Sequence, residues 1–520
     1  MSIYNGSAGS GDIDFAGTAA LQINSVSGGT FANHIIHVSA GDTIDLQSMA
    51  DATASYDGTT LTVTSGNITE TFSVSADAGT IFSAAADNNG GTILTAQTLQ
   101  FDSANSVTVT DVTQLNLALD LVATETSGHY TITFGADIAL GTTHLEAINL
   151  ATGVTLDIAG ANHSIDGGFT ERGFFIYAGT VSIEDLFIGH MLAQGGTGGG
   201  AGLGGGLFIG ANVTGNEGQV TLTNVNFSQN SAVGGNGTGL GGGGGLGGNG
   251  GVPLVGDATE GYGGGGIGGN GGGYNAEAAV EGTQGIVPGA ASGGSYGGLG
   301  GGANGGGGVG LGGWGASTAG GGVGGGDVPG WDHGGYGGFG GGGGYGGSGG
   351  GNGGFGGGGG NGYYVGGNGG FGGGGAWQGE WGGGNGGFGG GSYGGGGLGA
   401  GGDVFVQHGA SLTIAGSSTY DSYASVQGGI GYGGGTDGAA YGNGIYLQGS
   451  NTLHLGAGYL YMDAIIADDI GSAGHTSDST SGQVSLSLDA DGRVTLAQHN
   501  TYSGGTVLNA GTLEITANGR

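Results

Sequence analysis

Asp157, Asp166, Glu171 and Arg172 bring both signs of charge into one short stretch of the chain. Two carboxylates with a cationic partner on one face of a solenoid are what acid–base cleavage of a polysaccharide requires. This group is therefore the candidate for a lyase or hydrolase. Glu171-Arg172 reads equally well as a structural ion pair at a turn. His34-Ile35-Ile36-His37 has metal-ligand spacing only on a helix. Between β-branched residues the segment predicts a strand, on which a separation of three points the rings to opposite faces. Asp468-Asp469 and Asp489-Ala490-Asp491-Gly492 could hold Ca²⁺ loosely, or be solvated turns. The calcium nonapeptide of β-rolls is not found, and Gly433–Gly438 is the nearest approach to it. Glycine-rich matches to the dinucleotide fingerprint lack a strand before and a helix after, and a phosphate loop needs a lysine. No catalytic, cofactor-binding or metal-ligating residue is assigned, weak Ca²⁺ binding being the one cofactor entertained, and the chain is read as non-enzymatic.

Composition narrows the classes further. There is no cysteine in 520 residues, hence neither a disulfide framework nor a thiol nucleophile. Lysine is absent, and Arg172, Arg493 and Arg520 stand against 38 acidic residues, for a net charge of −35. Affinity for nucleic acid rests on Lys and Arg releasing counterions, and anionic headgroups demand the same cations. Both partners are excluded on that ground. The acidity itself suits the solubility of an exported surface. Met1 to Ala20 shows no basic and apolar leader pattern, and no apolar run reaches the roughly 18 residues of a transmembrane helix.

The elements that would position any site are strands. Residues 1–100 predict a β-rich module or stalk, with Leu61 and Val63 on one face and Phe72 and Val74 continuing across the turn Ser65-Gly66-Asn67. Residues 101–191 predict parallel β-helix coils. Short runs rich in Val, Ile, Thr and Phe recur at Val107–Thr110, Tyr130–Phe134, Val154–Ile158, Phe174–Tyr177 and Val181–Ile183. The steps from Tyr130 to Val154 to Phe174 approximate one coil each, and 111–121 predicts a short helix capping the solenoid. Residues 192–402 form a glycine-rich insert, with one or two further coils at 204–230. There Val220, Leu222 and Val225 face a core, and Asn224, Asn226 and Asn230 sit at turns suited to bonding along the axis. Residues 403–520 resume the β-helix.

The insert holds most of the 151 glycines, all three prolines and all four tryptophans, and Asn-Gly-Gly-Phe-Gly-Gly recurs at Asn352, Asn368 and Asn385. Glycine loses more backbone entropy on ordering than any other residue. The block is therefore expected to be flexible, with its tryptophans solvated and its chain open to proteolysis. The alternative is a bundle of polyglycine II strands, in which Phe355, Phe371 and Phe388 form regular rungs and Trp377 and Trp381 pack beside Phe371 and Phe388.

The last stretch is the most specific. Asn500-Thr501-Tyr502-Ser503-Gly504-Gly505-Thr506, then Ala510-Gly511-Thr512-Leu513, predicts strands at Thr506–Leu508 and Thr512–Ile515. It resembles the autotransporter-associated β-strand repeat letter for letter over that core. Gly204–Ile209 with Val220–Asn230 resembles the repeats of polymorphic outer-membrane proteins, and Thr155–Gly167 resembles a coil of the pectin-lyase-like β-helices. These resemblances imply a right-handed parallel β-helix from the passenger of a surface-exposed or secreted bacterial protein, structural and adhesive in role. The implied partner is an extracellular surface, a glycan or a host-cell receptor. Passengers of that family sit between a leader and a membrane barrel, so the chain is expected to be a fragment of a longer product. Two other functions are carried: a polysaccharide lyase or hydrolase, and an ice- or surface-binding glycine array.

Overall fold

The computed structural model describes residues 2–3, 9–251, 264–271, 273–275, 278–280, 286, 333–377, 380–473 and 482–516, apart from positions 27, 51, 57, 78, 88 and 240. Two compact units divide the chain at residues 1–121 and 122–520. Pro253, Pro288, Pro329, Trp314, Trp331 and Arg520 lie outside the described residues.

The first unit begins with parallel rungs. Ala20–Ile23 pairs in parallel with Thr43–Leu46, and Ile13–Asp14 with Ile35–Val38. Antiparallel hairpins then take over. Thr60–Ser65 pairs with Ile68–Ala76 through the expected turn, and Thr80–Ala86 pairs with Thr92–Thr98. Alternation decides which side chains go in: Leu61, Val63, Phe72 and Val74 are buried with Leu21, Ile44 and Leu94 in one core. The predicted helix forms at Val112–Ala123, burying Leu115, Ala118, Leu119 and Val122.

The second unit is a parallel β-helix. Its first sheet runs Gly128–Phe134, Val154–Ala159, Thr180–Glu184, Gln219–Thr223, Ser411–Ala415, Asn451–Leu455, Val484–Leu488 and Thr506–Leu508. A second sheet runs Ile138–Ala139, Ser164–Asp166, Phe187–Gly189, Asn226–Ser228, Ser418–Tyr420, Gly458–Met462, Gly492–Leu496 and Thr512–Ile515. The third runs Ile148–Asn149, Phe174–Ala178, Leu207–Ile209, Val404–Val406, Ile445–Leu447 and Ile466–Asp468. Period-two alternation stacks Leu156, Val181, Val220, Leu412, Leu453 and Leu486 in register along the interior. Each fully buried side chain of this kind stabilises by about 1.5–3 kcal/mol.

One expectation about the coils is corrected. Tyr130 pairs with Leu156 and Leu156 with Val181, so Phe174 lies on the third sheet of the coil that Val154 begins. A coil here contains strands of three sheets. A repeat read from strand spacing alone mixed two of them.

The glycine insert leaves the solenoid after Ser231–Val233 and returns at Gly399–Ala400, with both flanks in the same sheets. Ser417 N donates to Asn224 Oδ1 at 2.7 Å across 193 residues of chain. The described glycine strands are not flexible but hydrogen-bonded in several directions. Gly337, Gly340 and Gly343 donate to Asn352, Phe355 and Gly358 at 2.8, 2.8 and 2.9 Å, and Gly353, Gly356 and Gly359 repeat the pattern one coil on. Donation at every third residue is the signature of the three-fold polyglycine II helix. Amides in between bond sideways, Gly354 to Gly341 and Gly370 to Gly357, both at 2.9 Å. Only a backbone without side chains approaches this closely: a Cβ on Gly354 would lie 1.8 Å from the Gly338 oxygen, and one on Gly387 1.8 Å from that of Gly370.

The third sheet shows what offsets the entropy of ordering these glycines. Leu207–Ile209, Val404–Val406 and Ile445–Leu447 are buried at every position, as expected of strands covered on both faces. Phe175, Phe208, Phe405 and Tyr446 stack along the outer face, with centroids 4.4, 5.3 and 5.5 Å apart. Facing them is a ladder from the glycine coils, Phe339, Phe355, Phe371 and Phe388, stacked at 5.2, 5.1 and 5.2 Å. The two ladders meet edge to face, Phe371 and Phe405 at 6.1 Å and 62°. Leu246, Ile267 and Leu398 complete this second core.

Candidate interaction surface

The C-terminal motif is built into the fold by hydrogen bonds to the preceding coil. Asn500 Oδ1 accepts from Ile466 N at 2.8 Å, and Thr501 N donates to the Ile466 carbonyl. Asp468, fully buried, accepts from Ser503 N and Oγ at 2.7 Å each, from Val484 N at 2.9 Å and from Gly471 N at 2.6 Å. Tyr502 and Thr506 share a hydroxyl bond at 2.6 Å. Gly505 and Gly511 take left-handed φ values of 86° and 76° at the turns, conformations that favour glycine. Gly504 N donates to Val484 O, and Ala510 N to Leu488 O, completing the coil. Thr512 and Leu513 pair with Arg493 and Val494.

The carboxylates singled out from the sequence serve separate partners. Asp157 meets His129 at 3.1 Å, Asp166 meets His190 at 2.9 Å, and Glu171 meets His144 at 2.5 Å. Each pair joins neighbouring coils. Arg172 lies over the Phe175 ring at 5.1 Å, and burial lowers its pKa to about 10. His34 bonds Ser75 and His37 bonds Asp14 at 2.8 Å. His37 takes a left-handed φ of 59° at a register irregularity in Ile35–Val38, so both rings stay at the surface while Ile35 and Val38 are buried, and the expected placement on opposite faces does not hold. Asp469 accepts from the Tyr446 hydroxyl and Gly449 N. Asp489, held down to about 2 by hydrogen bonds from Ser487, His454 and Asn509, is occupied as well. Asp491 is on the short turn before Gly492–Leu496. Among the described residues no three His, Asp or Glu side chains group so as to hold a metal, and no helix is long and apolar enough to cross a membrane.

Asn224 and Asn230 lie outside the strands as expected, whereas Asn226 opens the strand Asn226–Ser228; all three bond to neighbouring coils. Asn224 donates to Asp185 at 2.8 Å, Asn226 accepts from Thr419 N at 2.9 Å, and buried Asn230 binds Ile188 O and Asp403. Asp403 is fully buried, and desolvation raises its pKa well above the ordinary range.

What the sequence did not single out as a surface is the row of coil tips on the glycine bundle. Tyr364 stacks on Trp381 at 4.7 Å and meets Tyr363 edge-on at 4.9 Å. Tyr393 follows, and Trp377 sits edge-on to Tyr432 at 5.6 Å. Trp381 is 76% exposed. It is solvated, whereas Phe371 and Phe388 are buried, so the expected grouping of Trp381 with those phenylalanines does not form. The available signal was the placement of bulky rings at turns between glycine runs.

Fold and motif together define the class: a parallel β-helix with a passenger-type repeat among its coils. Residues 491–515 match the family model of the passenger-associated-transport-repeat, over the motif described above. No curated protein and no solved structure matches the chain.

Proposed function

We propose that the chain is the passenger-type segment of a bacterial surface-exposed or secreted protein, with a structural and adhesive role. The observation that carries this reading is the C-terminal coil, a passenger-associated-transport-repeat whose Ser503 and Asn500 bond directly to the last complete coil. A solenoid stacked this way is a regular scaffold, and the glycine bundle it carries presents a laterally displayed surface. Beads coated with the purified chain should adhere to bacterial or host-cell layers and be displaced by free protein. Coated beads that bind no better than albumin-coated ones would contradict the adhesive role. The polysaccharide-cleaving alternative predicts, from polygalacturonate and related acidic glycans, unsaturated products if a lyase or new saturated reducing ends if a hydrolase.

A second reading has a specific observation in its favour. Asn352, Asn368 and Asn385 form an exposed ladder, in which Asn368 N and Asn385 N each donate to the preceding amide oxygen at 2.8 Å. Such an array suits a periodic crystal surface such as ice, and thermal hysteresis beyond the colligative effect is its test.

A further inference from the structure

We propose that the coil tips of the glycine bundle form a binding strip for an uncharged polysaccharide chain; the proposal rests on the adhesive reading and names its ligand. The strip is continuous. Tyr363 N and Tyr364 N donate to Gly346 O and Ser348 O of the coil before, and Trp381 N donates to Tyr364 O of the coil between. Tyr393 N bonds Gly384 O, and Tyr432 N bonds Gly394 O. Successive tips are therefore stacked at the strand spacing of about 4.8 Å, and the rings form a row along the axis rather than a round patch.

These rings are held out in water. Tyr363 is 56% exposed, Tyr393 51% and Trp381 76%. Clustered exposed aromatics on a rigid frame mark recognition sites, and a Trp or Tyr face offers apolar area beside a polar edge. The C–H faces of sugar rings complement such faces, and their hydroxyls can be met by tyrosine hydroxyls. The backbone beneath is fixed by the bundle's hydrogen bonds, so little ordering cost falls on binding.

Charge selects among partners. From His333 to Gly402 the chain carries Glu380 as its one Asp, Glu, Lys or Arg side chain, within a protein of net charge −35. No Lys or Arg is present in that span to hold a phosphate, sulfate or uronate, and the acidity along the strip amounts to Glu380 beside Trp381 and Asp437 on the coil of Tyr432, too little to select a basic partner. A second copy would bring an equal negative charge. A linear, neutral polymer fits both the row and its low charge.

The experiment is affinity electrophoresis of the whole chain through gels containing a neutral β-glucan, mannan, galactan or xylan, with polygalacturonate and chitosan as charged comparisons. The expected result is retardation by at least one neutral polymer. Trp381→Ala and Tyr363→Ala, both at exposed positions, should weaken it about tenfold or more. Tyr423→Ala, which removes a tyrosine 73% exposed outside the strip, should leave it unchanged, with identical far-ultraviolet dichroism throughout. Retardation by no neutral polymer, stronger retardation by a charged one, or retardation of the Trp381 and Tyr363 variants equal to that of the unaltered chain would overturn the proposal. So would concentration-dependent dimerisation abolished by Trp381→Ala. Adhesion of coated beads that survives both substitutions would remove the strip and leave the adhesive role standing.

Discussion

At the scale of single residues, carboxylates fasten coil to coil, and their titration reports on it. Asp489 is held at about 2 from an ordinary 3.8, through hydrogen bonds from Ser487, His454 and Asn509. A depressed carboxylate contributes stability that is present above its unfolded pKa and is lost as pH falls through the folded one. The urea midpoint should therefore fall between about pH 4 and pH 2, and Asp489→Asn should flatten that part of the profile; an unchanged slope would contradict the assignment. Asp403 has the opposite sign. Desolvation raises its pKa well above 3.8, and its Oδ2 is buried without a hydrogen-bond partner among the described residues. A group protonated in the native state but ionised in the unfolded one costs stability as pH rises above the unfolded value. Asp403→Asn keeps an acceptor for Asn230 and should raise the urea midpoint at pH 7, with the gain vanishing below about pH 4. Destabilisation at pH 7 would show that the carboxylate is needed in its charged form.

At the scale of elements, the solenoid was legible because its pattern is local. Alternation of Val220 and Leu222 with Thr221 and Thr223 predicts a strand with one buried face, and that is what Gln219–Thr223 forms. The motif from Asn500 to Leu513 likewise fixed both terminal strands. The order of the described glycine strands has a non-local cause. Their own composition contains too little apolar surface to order them, and the missing partner is the outer face of the third sheet. The clue lay in Leu207-Phe208-Ile209, Val404-Phe405-Val406 and Ile445-Tyr446-Leu447, which do not alternate and so require cover on both faces. Phe371→Ala, at a ring between two stacked neighbours, should cost about 3–5 kcal/mol. Gly370→Ala, whose Cβ would lie 1.9 Å from Gly354 O, should cost about 1–3 kcal/mol. Both should open the bundle to proteolysis while the solenoid dichroism persists. Substitutions without effect on protease resistance would mean the ladder does not hold the bundle. The site lessons are similar: the Asp157, Asp166, Glu171 and Arg172 group looks like one cluster in sequence, but coil geometry hands each carboxylate its own histidine on a neighbouring coil.

At the scale of the whole second unit, two architectures share one axis. Glycine segments enter and leave at the same corner of successive coils, Gly235 N bonding Gly200 O, Gly397 N bonding Gly235 O and Gly429 N bonding Gly397 O. The bundle thereby continues the solenoid's own repeat sideways, and phenylalanines spaced 16 or 17 residues apart fall opposite rungs of the third sheet. The result is a scaffold that covers its own apolar face and carries a nearly uncharged, aromatic-tipped edge. Hydrogen exchange of the intact protein, read by mass spectrometry on peptides within 341–376, tests this most directly. Amides donating to neighbouring glycine strands should exchange as slowly as those of Val404–Val406 and Ile445–Leu447. Complete exchange of the glycine peptides within seconds, while the third-sheet strands remain protected, would contradict the ordered, docked bundle.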